Sequence, residues 1–451
     1  MLNTLLPYQE IGAAWLAGKT QALLADEMGL GKSCQAIRAA DLCGAKSILV
    51  LCPAAARINW SREFWRFSPL DRPTSVIITG KSKIDTSGVT IASYDILSNA
   101  SVRETLLSTD WDVLILDEAH YLKERSSKRA KAVYGTSRAN RGLLGRTKYC
   151  WRLTGTPMPN NASELWTHLK SAGIVAEPFW DFVFRFCKGF DTGDFGYKIT
   201  GSKNEEELKQ LLSGFMLRRT VAEVLPEMPP VFIRQYSVQK SEIDLTTYFA
   251  KELEEVGESA FTKRLRQQGV DLVGKINTID PLAVLESHAR SLITLRRYVS
   301  LAKLPAALEL LKEKLDADPT KKIVVFGVFK STILTGLDVL AAYGAVALFG
   351  ETPPEQRQRN IDRFQTDPNC RVFLGNITAA GTAITLTAAD EVVFIDASWV
   401  PADNQQALKR VHRIGQSQPV LVTFISCADS VDEAVMKAVA EKTTAIEKIL
   451  D

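Results

Sequence analysis

The stretch ADEMGLGKS carries side chains that could bind the phosphates of a nucleotide. Gly29 and Gly31 would allow successive backbone N–H groups to turn inward toward an anion. Lys32 and Ser33 follow at the spacing at which an ammonium group contacts phosphate and a hydroxyl contacts Mg²⁺. Asp26 stands where the usual pattern has its first glycine, so a glycine-containing turn that happens to precede a lysine remains an alternative for the loop alone.

A second set of candidate residues ends the apolar run in WDVLILDEAH. Its two carboxylates, Asp117 and Glu118, are what a site for Mg²⁺ and ATP needs beside a phosphate loop. Asp117 can hold the metal through water, and Glu118 can polarise the water that attacks the γ-phosphate. Acidic pairs at strand ends are common, but a pair that follows a nearly complete phosphate loop favours ATP hydrolysis.

Positive charge must also reach the transferring phosphoryl group, and QQALKRVHRIGQ near the C-terminus could supply it. Arg410 and Arg413 lie three residues apart, so we expect them to share one face of a helix. A solvated basic face is the alternative for such a pair. In a second lobe, these arginines could complete an ATP site only when the lobes close, and ATP occupancy would then drive a mechanical step.

Short apolar runs that alternate with helical stretches must position these residues. The first series is QALLA, SILVLCP, TSVIITG, GVTIAS, WDVLILDE and YCWRLTG, and the second is KKIVVFGVF, GAVALFG, CRVFLGN, DEVVFIDAS and PVLVTFIS. This alternation is typical of buried parallel sheets covered by helices on both faces. The sequence therefore predicts two α/β lobes, separated by polar helical stretches and by a Pro-rich linker at residues 224–232.

Composition restricts the class of protein only broadly. A chain of 451 residues with 46% hydrophobic residues predicts two or three domains. Lys and Arg number 55 against 52 Asp and Glu, and the formal charge of +3 is too small to indicate nucleic acid by itself. The sequence shows no zinc-ligand spacing, export signal or membrane span. We expect a cytoplasmic protein of bacterial or viral origin, or a nuclear one if the chain is eukaryotic.

Nine motifs in order give the chain a specific resemblance. They are LLPYQEIGAAWL, DEMGLGKS, LVLCPAAARINW, TIASYDIL, DEAH, LTGTP, MLRRTVAEVLPEMPP, ITAAGTAITLTAAD and QALKRVHRIGQ. Over almost its whole length the chain resembles the Swi/Snf-type ATPases of helicase superfamily 2, whose own form of the phosphate loop begins with Asp. The resemblance implies two RecA-like, doubly wound parallel-sheet lobes with helical insertions. They would span residues 1–225, with a protrusion near 160–215, and 226–451, with a protrusion near 240–298.

The resemblance also implies a site for ATP and Mg²⁺. Gln9 would read adenine, because its amide offers a paired donor and acceptor, while Ser33 and Asp117 would hold the metal. Thr154 and Thr156 in LTGTP would couple hydrolysis to lobe movement, with His120 as the link. The residues matched to nucleotide binding and catalysis are Gln9, Gly29, Gly31, Lys32, Ser33, Asp117, Glu118, Gln406, Arg410 and Arg413.

The implied activity is translocation along double-stranded DNA, which requires phosphate contacts rather than base reading. Matched positions for these contacts are Arg57, Ser93, Tyr94, Thr156, Lys330, Thr378 and Gly381. The stretch from Lys123 to Lys148 carries nine Lys or Arg against one Glu. We interpret it as a phosphate-binding stretch centred on Lys128 and Arg129, with a solvated, flexible loop as the equal alternative.

Some positions depart from the family pattern. The family more often has Gly, Asn and Asn where this chain has Ala380, Thr385 and Val400. The DNA contacts that the resemblance implies for the second lobe are therefore less well supported than the ATP site. The compact middle region resembles the branch of fork-remodelling and strand-annealing motors and its compact bacterial and phage members. We expect a monomer that acts alone or with a protein partner supplying the target. A strand-separating DNA or RNA helicase and a catalytically inactive nucleic-acid-binding scaffold are the alternative functions.

Overall fold

The computed structural model describes residues 4–137, 140–193, 197–239, 292–380, 384–428 and positions 430, 432–433, 435–436 and 439–440. By contacts between residues, the chain divides into two compact units. The first contains the described residues up to Met228 together with Val400–Ser417. The second contains the described residues of Pro229–Trp399 and Gln418–Val439. The segment Val400–Ser417, which was predicted to belong to the second lobe, thus lies in the first unit.

The first unit is built on a seven-stranded parallel sheet. Its strands are β1 (Gln21–Leu24), β2 (Ile48–Cys52), β3 (Thr74–Val76), β4 (Val89–Ser93), β5 (Trp111–Asp117), β6 (Thr147–Leu153) and β9 (Met216–Leu217). Their spatial order is β3-β4-β2-β5-β6-β1-β9. The predicted apolar runs form β1 to β6, because strands covered on both faces bury nearly every side chain, as in the fully buried β2 and β4. The two-residue β9 was not among the predicted runs.

Helices cover this sheet, and the hydrophobic core lies between the helices and the sheet. They are α1 (Pro7–Ala17), α2 (Lys32–Leu42), α3 (Arg57–Phe67), α4 (Ala100–Leu107), α5 (Lys128–Tyr134), α6 (Trp166–Ser171), α7 (Phe179–Phe186), α8 (Glu205–Ser213) and α9 (Val221–Val224). Asn99 and Ser127 cap α4 and α5, since their side chains accept hydrogen bonds from the N–H groups of Val102 and Ala130. One core cluster packs Trp111 and its neighbours under α4 and α5.

The region near residues 160–215, predicted as a helical protrusion, is not wholly helical. Alongside α6, α7 and α8 it contains an antiparallel hairpin formed by β7 (Cys187–Asp191) and β8 (Tyr197–Ser202). These strands contain glycines and alternate in exposure. They were not predicted, because they lack an apolar run. The predicted protrusion near 240–298 lies largely outside the described residues, and its described part belongs to a helix that runs from Leu292 to Ala317.

The second unit contains a six-stranded sheet that is also parallel. Its strands are β10 (Val231–Val238), β11 (Ile323–Gly327), β12 (Val346–Leu348), β13 (Val372–Asn376), β14 (Glu391–Phe394) and β15 (Val420–Cys427), in the order β10-β15-β14-β11-β13-β12. Its helices are α10 (Leu292–Ala317), α11 (Lys330–Val339), α12 (Pro354–Thr366) and α13 (Ile377–Ala380). The predicted fold, two parallel α/β sheets with helices around them, is therefore confirmed.

The sheet of the first unit brings the candidate residues to one edge. In a parallel sheet, the carboxyl ends of the strands lie on the same side, where open α/β folds bind ligands. The phosphate loop follows β1, the two carboxylates end β5, and LTGTP follows β6, which lies between those two strands. No described helix has the length and apolar character of a membrane span.

Candidate nucleotide site and nucleic-acid contacts

The loop between β1 and α2 has the backbone that anion binding requires. Gly29 has φ 92° and Gly31 has φ 74°, a region that side chains other than glycine rarely adopt. Space at Gly31 is also limited, because a Cβ there would lie 2.6 Å from Nε2 of Gln9. Gly31 directly precedes α2, so the first N–H groups of that helix face the loop. Ser33, the second residue of α2, is half-buried beside them.

Lys32 places its ammonium group among carbonyl oxygens and carboxylates. Its Nζ donates to the backbone oxygens of Asp26 at 2.8 Å and Glu27 at 3.3 Å. Burial lowers the pKa of Lys32, and the charge of Glu118 opposes that shift. A Cβ at Gly155 would lie 3.3 Å from Nζ, so LTGTP passes directly beside the ammonium group. An anionic ligand at this point would stabilise a cation that burial disfavours.

Asp117, at the end of β5, is held by two donors. The indole Nε1 of Trp60 donates to Oδ2 at 2.7 Å, and the backbone N–H of Glu118 donates to Oδ1 at 3.0 Å. Burial and the neighbouring charge of Glu118 raise the pKa of Asp117. The sequence pattern did not indicate this role of Trp60, although RINW lies within one of the motifs that carry the resemblance.

Glu118 is fixed by its backbone and by both carboxylate oxygens. Its φ of 48° lies in the left-handed region, which is uncommon for a residue with a side chain. Nε2 of Gln406 donates to Oε1 at 3.0 Å, and Nδ1 of His120 lies 3.3 Å from Oε2. Burial opposes ionisation, but the hydrogen bond and charge of His120, with the charge of Lys32, keep the pKa of Glu118 low.

His120 connects this carboxylate to LTGTP. Its Nδ1 lies 3.2 Å from the hydroxyl of Thr154 and 3.5 Å from that of Thr156. The Thr154 hydroxyl in turn accepts a hydrogen bond from the N–H of Thr156 at 3.1 Å. Contacts therefore run continuously from the carboxylate through His120 to this segment, and the coupling role of these residues stays a prediction.

The arginines of the C-terminal motif do not lie on a helix, contrary to our expectation. Helix α14 (Pro401–Leu408) ends before them. The next backbone bonds, from Arg410 N to Ala407 O and from Val411 N to Leu408 O, span three residues rather than four. Gly415, with φ 102°, follows in the same series of turns. The spacing of the two arginines is compatible with a helix, but the backbone forms tight turns at these residues.

Both arginines are nevertheless directed into the first unit. Burial, followed by the nearby charge of Arg413, lowers the pKa of Arg410 to about 10. Nε of Arg410 is buried without a hydrogen-bond partner. A Cβ at Gly29 would lie 3.4 Å from Cβ of Arg413, so this motif packs against the phosphate loop. The orphaned Nε is a donor that an anion at this site would satisfy.

Gln9 lies beside the loop but is engaged by its own chain. Its Oε1 accepts from the N–H of Leu6 at 2.9 Å, and its Nε2 donates to the carbonyl of Leu30 at 3.2 Å. The side chain is 5% exposed. Its position next to Gly31 is compatible with the predicted contact to a base, and that role stays a prediction.

The predicted first-unit DNA contacts differ in accessibility. Arg57 donates from Nη1 to the carbonyls of Ile77 and Ile78, so its guanidinium is partly occupied. Ser93 and Tyr94 are buried, and the Tyr94 hydroxyl donates to the backbone oxygen of Asp117 at 2.7 Å. A contact with a nucleic acid from Ser93 or Tyr94 would therefore have to come from backbone atoms. Thr156 is half-buried beside His120.

The predicted contacts of the second unit are described only in part. Nζ of Lys330, at the start of α11, lies 2.5 Å from a carboxylate oxygen of Glu351, and both side chains are exposed. Thr378 is exposed on α13, and its hydroxyl donates to Oδ1 of Asn376 at 3.0 Å. Gly381 lies outside the described residues.

The basic stretch after DEAH forms one wall of an open groove of about 760 Å³. Lys128 and Lys131 are exposed at the start of α5, and the guanidinium of Arg129 lies 5.4 Å from the ring centre of Tyr121. Arg103 lines the same groove from α4. The described part of this stretch thus contains an ordered helix whose cations converge with Arg103, rather than only a solvated loop.

A glycine-containing loop after one strand of a parallel sheet and a carboxylate pair two strands away define a phosphate-loop nucleotide-binding α/β protein. Within that class, the profile of the SNF2-related domain matches residues 8–280. That of the helicase conserved C-terminal domain matches residues 303–415. The chain belongs to the SNF2-related family.

Three known proteins illustrate the similarity. The DNA annealing helicase and endonuclease ZRANB3 of Bos taurus is 30% identical over 445 residues, which cover 95% of this chain and 39% of that protein. The SWI/SNF-related matrix-associated actin-dependent regulator of chromatin subfamily A-like protein 1 of Xenopus tropicalis is 29% identical over 448 residues, covering 98% and 44%. The chain thus spans less than half the length of these two relatives. The structure of the Sulfolobus solfataricus SWI2/SNF2 ATPase core in complex with dsDNA is 24% identical, with a TM-score of 0.45 over 99% of this chain and 93% of that one.

Proposed function

We propose that the protein is a DNA-stimulated ATPase that translocates along double-stranded DNA and remodels DNA or protein–DNA complexes. One observation carries the proposal: Lys32, Asp117 and Glu118 meet at one edge of the first sheet in a chain of the SNF2-related family. Glu118 is, in addition, held by Gln406 from the C-terminal motif. An inactive scaffold would have no need to keep this set of buried charges together, because each of them costs free energy to bury.

The site fits ATP and Mg²⁺ in three respects. Two positive-φ glycines leave the loop open to phosphate, the Lys32 ammonium is buried among oxygens, and the buried Nε of Arg410 lacks a partner. Ser33 and Asp117 are the residues that would hold Mg²⁺, as a hydroxyl and a carboxylate suit this ion. When bound, the metal neutralises charge on the phosphate oxygens.

Each residue of the site has a separate role in ATP hydrolysis. Lys32 binds the phosphates, and Glu118, kept ionised by His120 and Lys32, accepts a hydrogen bond from the attacking water and orients it. Arg410 and Arg413 stabilise the charge that develops on the phosphoryl oxygens. His120 then transmits the state of Glu118 to Thr154 and Thr156, which gives hydrolysis a path to the surface on which a duplex would lie.

Duplex DNA is the partner that the relatives and the basic groove favour. One relative is named for DNA annealing. The groove offers the cations of Lys128, Arg129 and Lys131, while the aromatic residue that lines it, Tyr94, is buried and presents no ring for base stacking. A strand-separating helicase is the second candidate, because a relative from Schizosaccharomyces pombe carries the name ATP-dependent helicase fft1. We further propose that the chain acts as a monomer, with targeting supplied by a protein partner.

The deciding experiment measures ATP hydrolysis with duplex DNA, single-stranded DNA and RNA, alongside triplex displacement and strand unwinding. We expect hydrolysis stimulated by the duplex, with triplex displacement and without unwinding. Unwinding with stimulation by single strands would replace the proposal by the helicase alternative. The absence of hydrolysis with every nucleic acid would overturn both.

A further inference from the structure

The carboxylate of Asp26 is the most deeply buried charge of the phosphate loop. Its exposure is 0%, although it occupies the position at which phosphate loops usually have a glycine. An ionised carboxylate in such surroundings is stable only when it is paired and hydrogen-bonded. The functional site described above does not use this side chain, so its partners must explain its presence.

Arg219, which follows β9, supplies the pairing. Its Nε donates to Oδ1 of Asp26 at 3.0 Å, and its Nη2 donates to Oδ2 at 2.5 Å. Two parallel bonds of this kind fix direction as well as distance, because both groups are planar. The Arg219 side chain is 14% exposed, so the pair is largely shielded from water.

The same guanidinium reaches two helices. Its Nη1 donates to the backbone oxygen of Tyr8 in α1 at 2.5 Å, and its Nη2 also donates to Oε1 of Gln35 in α2 at 2.8 Å. Nε2 of Gln35 donates back to Oδ2 of Asp26 at 3.0 Å. Arg219 therefore joins the helix that carries Gln9, the phosphate loop and the helix that follows the loop.

Gly12 leaves room for this network. A Cβ at that position in α1 would lie 1.9 Å from Oε1 of Gln35 and 2.6 Å from Nη2 of Arg219. Distances this short cannot be accommodated without displacing the amide or the guanidinium. A glycine inside α1, which costs helix stability, is thus required by the network rather than by the helix.

The backbone around Asp26 is tied to the same segment. The N–H of Ala25 donates to the oxygen of Leu217 at 2.7 Å, and that of Glu27 donates to the oxygen of Arg219 at 2.9 Å. The backbone oxygen of Asp26 itself accepts from Nζ of Lys32 at 2.8 Å. The position of Asp26 therefore sets the position of the lysine that faces the phosphates.

We propose that Asp26 and Arg219 are positioning residues that fix the phosphate loop and the Lys32 ammonium for nucleotide binding. The inference rests on the proposed binding of ATP by this loop. With Asp in place of the first glycine, the loop loses some backbone freedom. In return, the Asp26 carboxylate binds Gln35 of α2 and Arg219 after β9, and Arg219 in turn binds α1. The loop is preorganised by this fastening, which reduces the ordering cost of binding.

The experiment compares nucleotide affinity with thermal stability in matched variants of the full chain. Arg219→Lys keeps the charge but loses the paired bonds, while the double variant Asp26→Asn with Arg219→Gln removes both buried charges. The control is Asp41→Asn with Arg72→Gln, since Nη1 of Arg72 and Oδ1 of Asp41 also form a buried ion pair, at 2.5 Å. The dissociation constant of a fluorescent ATP analogue and the Tm are measured for each variant.

A role limited to stability and a positioning role predict different combinations of Tm and nucleotide affinity. We expect Arg219→Lys to keep a Tm near the wild-type value and to bind the analogue about tenfold more weakly or worse. Arg219→Gln alone is measured beside the double Asp26 and Arg219 variant. In the double variant the Tm recovers relative to Arg219→Gln alone, but the affinity does not. The control pair lowers the Tm and leaves the affinity unchanged.

Failure of the positioning role and failure of the proposed ATP binding give different results. Affinity that follows the Tm across all variants, or that stays at the wild-type value in Arg219→Lys, overturns the positioning role while wild-type binding persists. If the wild-type chain itself binds no ATP analogue, the proposed function fails instead.

Discussion

Nε2 of Gln406 donates a hydrogen bond to Oε1 of Glu118 over 3.0 Å, although 288 positions separate the two residues. His120 occupies the other carboxylate oxygen at 3.3 Å. Gln406 was matched to nucleotide binding and catalysis, and the structure places its amide on the carboxylate that would orient water. The C-terminal motif therefore acts on Glu118 through Gln406, in addition to the charge its arginines provide.

Gln406→Ala tests this contact. Loss of a hydrogen bond to a charged group predicts a decrease in kcat of about 10- to 100-fold, with a smaller change in the KM for ATP. The measurement is steady-state ATP hydrolysis with saturating duplex DNA. Gln405→Ala is the matched control, because Gln405 is exposed on the same helix. A raised KM with an unchanged kcat would assign Gln406 to nucleotide binding alone.

Trp60 is a residue whose role the structure adds. Because its indole donates to Asp117 at 2.7 Å, Trp60→Phe should leave the carboxylate poorly oriented toward Mg²⁺. Removing a supporting hydrogen bond of this kind typically weakens metal binding by about 10- to 100-fold, so we expect hydrolysis to require correspondingly more Mg²⁺. The assay is a Mg²⁺ titration of ATP hydrolysis. Trp65→Phe on the same helix, where the side chain is 77% exposed, should behave as the wild type; equal Mg²⁺ dependence of both variants would refute the role of Trp60.

The groove beside α5 predicts a specific dependence of DNA binding on salt. Replacing Lys128, Arg129 and Lys131 by alanine should flatten the slope of log K against log [salt] by about one unit for each phosphate that the protein no longer neutralises. The binding constants are measured with one duplex at several salt concentrations. Lys188, Lys198 and Lys209, replaced together, serve as a control of equal charge outside the groove. A slope that is unchanged, or changed equally by both sets, contradicts a phosphate site at α5.

His168 predicts how the stability of the first unit varies with pH. Its ring is buried with Nε2 unpartnered, while Nδ1 lies 3.1 Å from the Tyr134 hydroxyl. Burial, followed by the charge of Arg152, lowers its pKa from 6.5 to about 3. Between these values the unfolded chain binds a proton that the folded chain does not, so the stability present above pH 6.5 is lost as the pH falls toward 3.

The size of this effect is measurable. Well below the ordinary histidine pKa of about 6.5, the slope should approach about 1.4 kcal/mol per pH unit from this residue. Urea unfolding followed by tryptophan fluorescence, between about pH 7 and pH 5, should show a smaller loss for His168→Asn, whose side chain does not titrate. Parallel pH dependence in both proteins would show that His168 does not remain neutral in the folded chain.

β9 and β10 could not be predicted, because β9 has only two residues and β10 is largely exposed and begins inside the stretch interpreted as a Pro-rich linker. The other strands of both sheets could be predicted because each is an apolar run that burial on two faces requires. The residues at their ends followed from the same argument, since the carboxyl ends of parallel strands share one edge. Asp117 and Lys32 were therefore predictable as neighbours. The hairpin of β7 and β8 was not, because its half-exposed strands carry glycines and lysines in place of an apolar run.

What sequence patterns did not reveal depends on contacts between distant segments. The pairing of Asp26 with Arg219 spans 193 positions, and no local spacing encodes it. The ending of α14 at Leu408 was also hidden, because a spacing of three residues suits a helix and a series of tight turns equally. Trp60 lay inside a recognised motif, but its function is visible only from the distance between its indole and Asp117.

The most direct test of the account is the replacement of Glu118 by glutamine. The variant keeps the shape of the side chain and its contact with Gln406, but it loses the charge that orients and polarises the attacking water. We predict that Glu118→Gln abolishes duplex-stimulated ATP hydrolysis and binds an ATP analogue with nearly the wild-type affinity. Turnover retained at the wild-type rate would contradict the assignment of water activation to Glu118 and, with it, the mechanism proposed for this site.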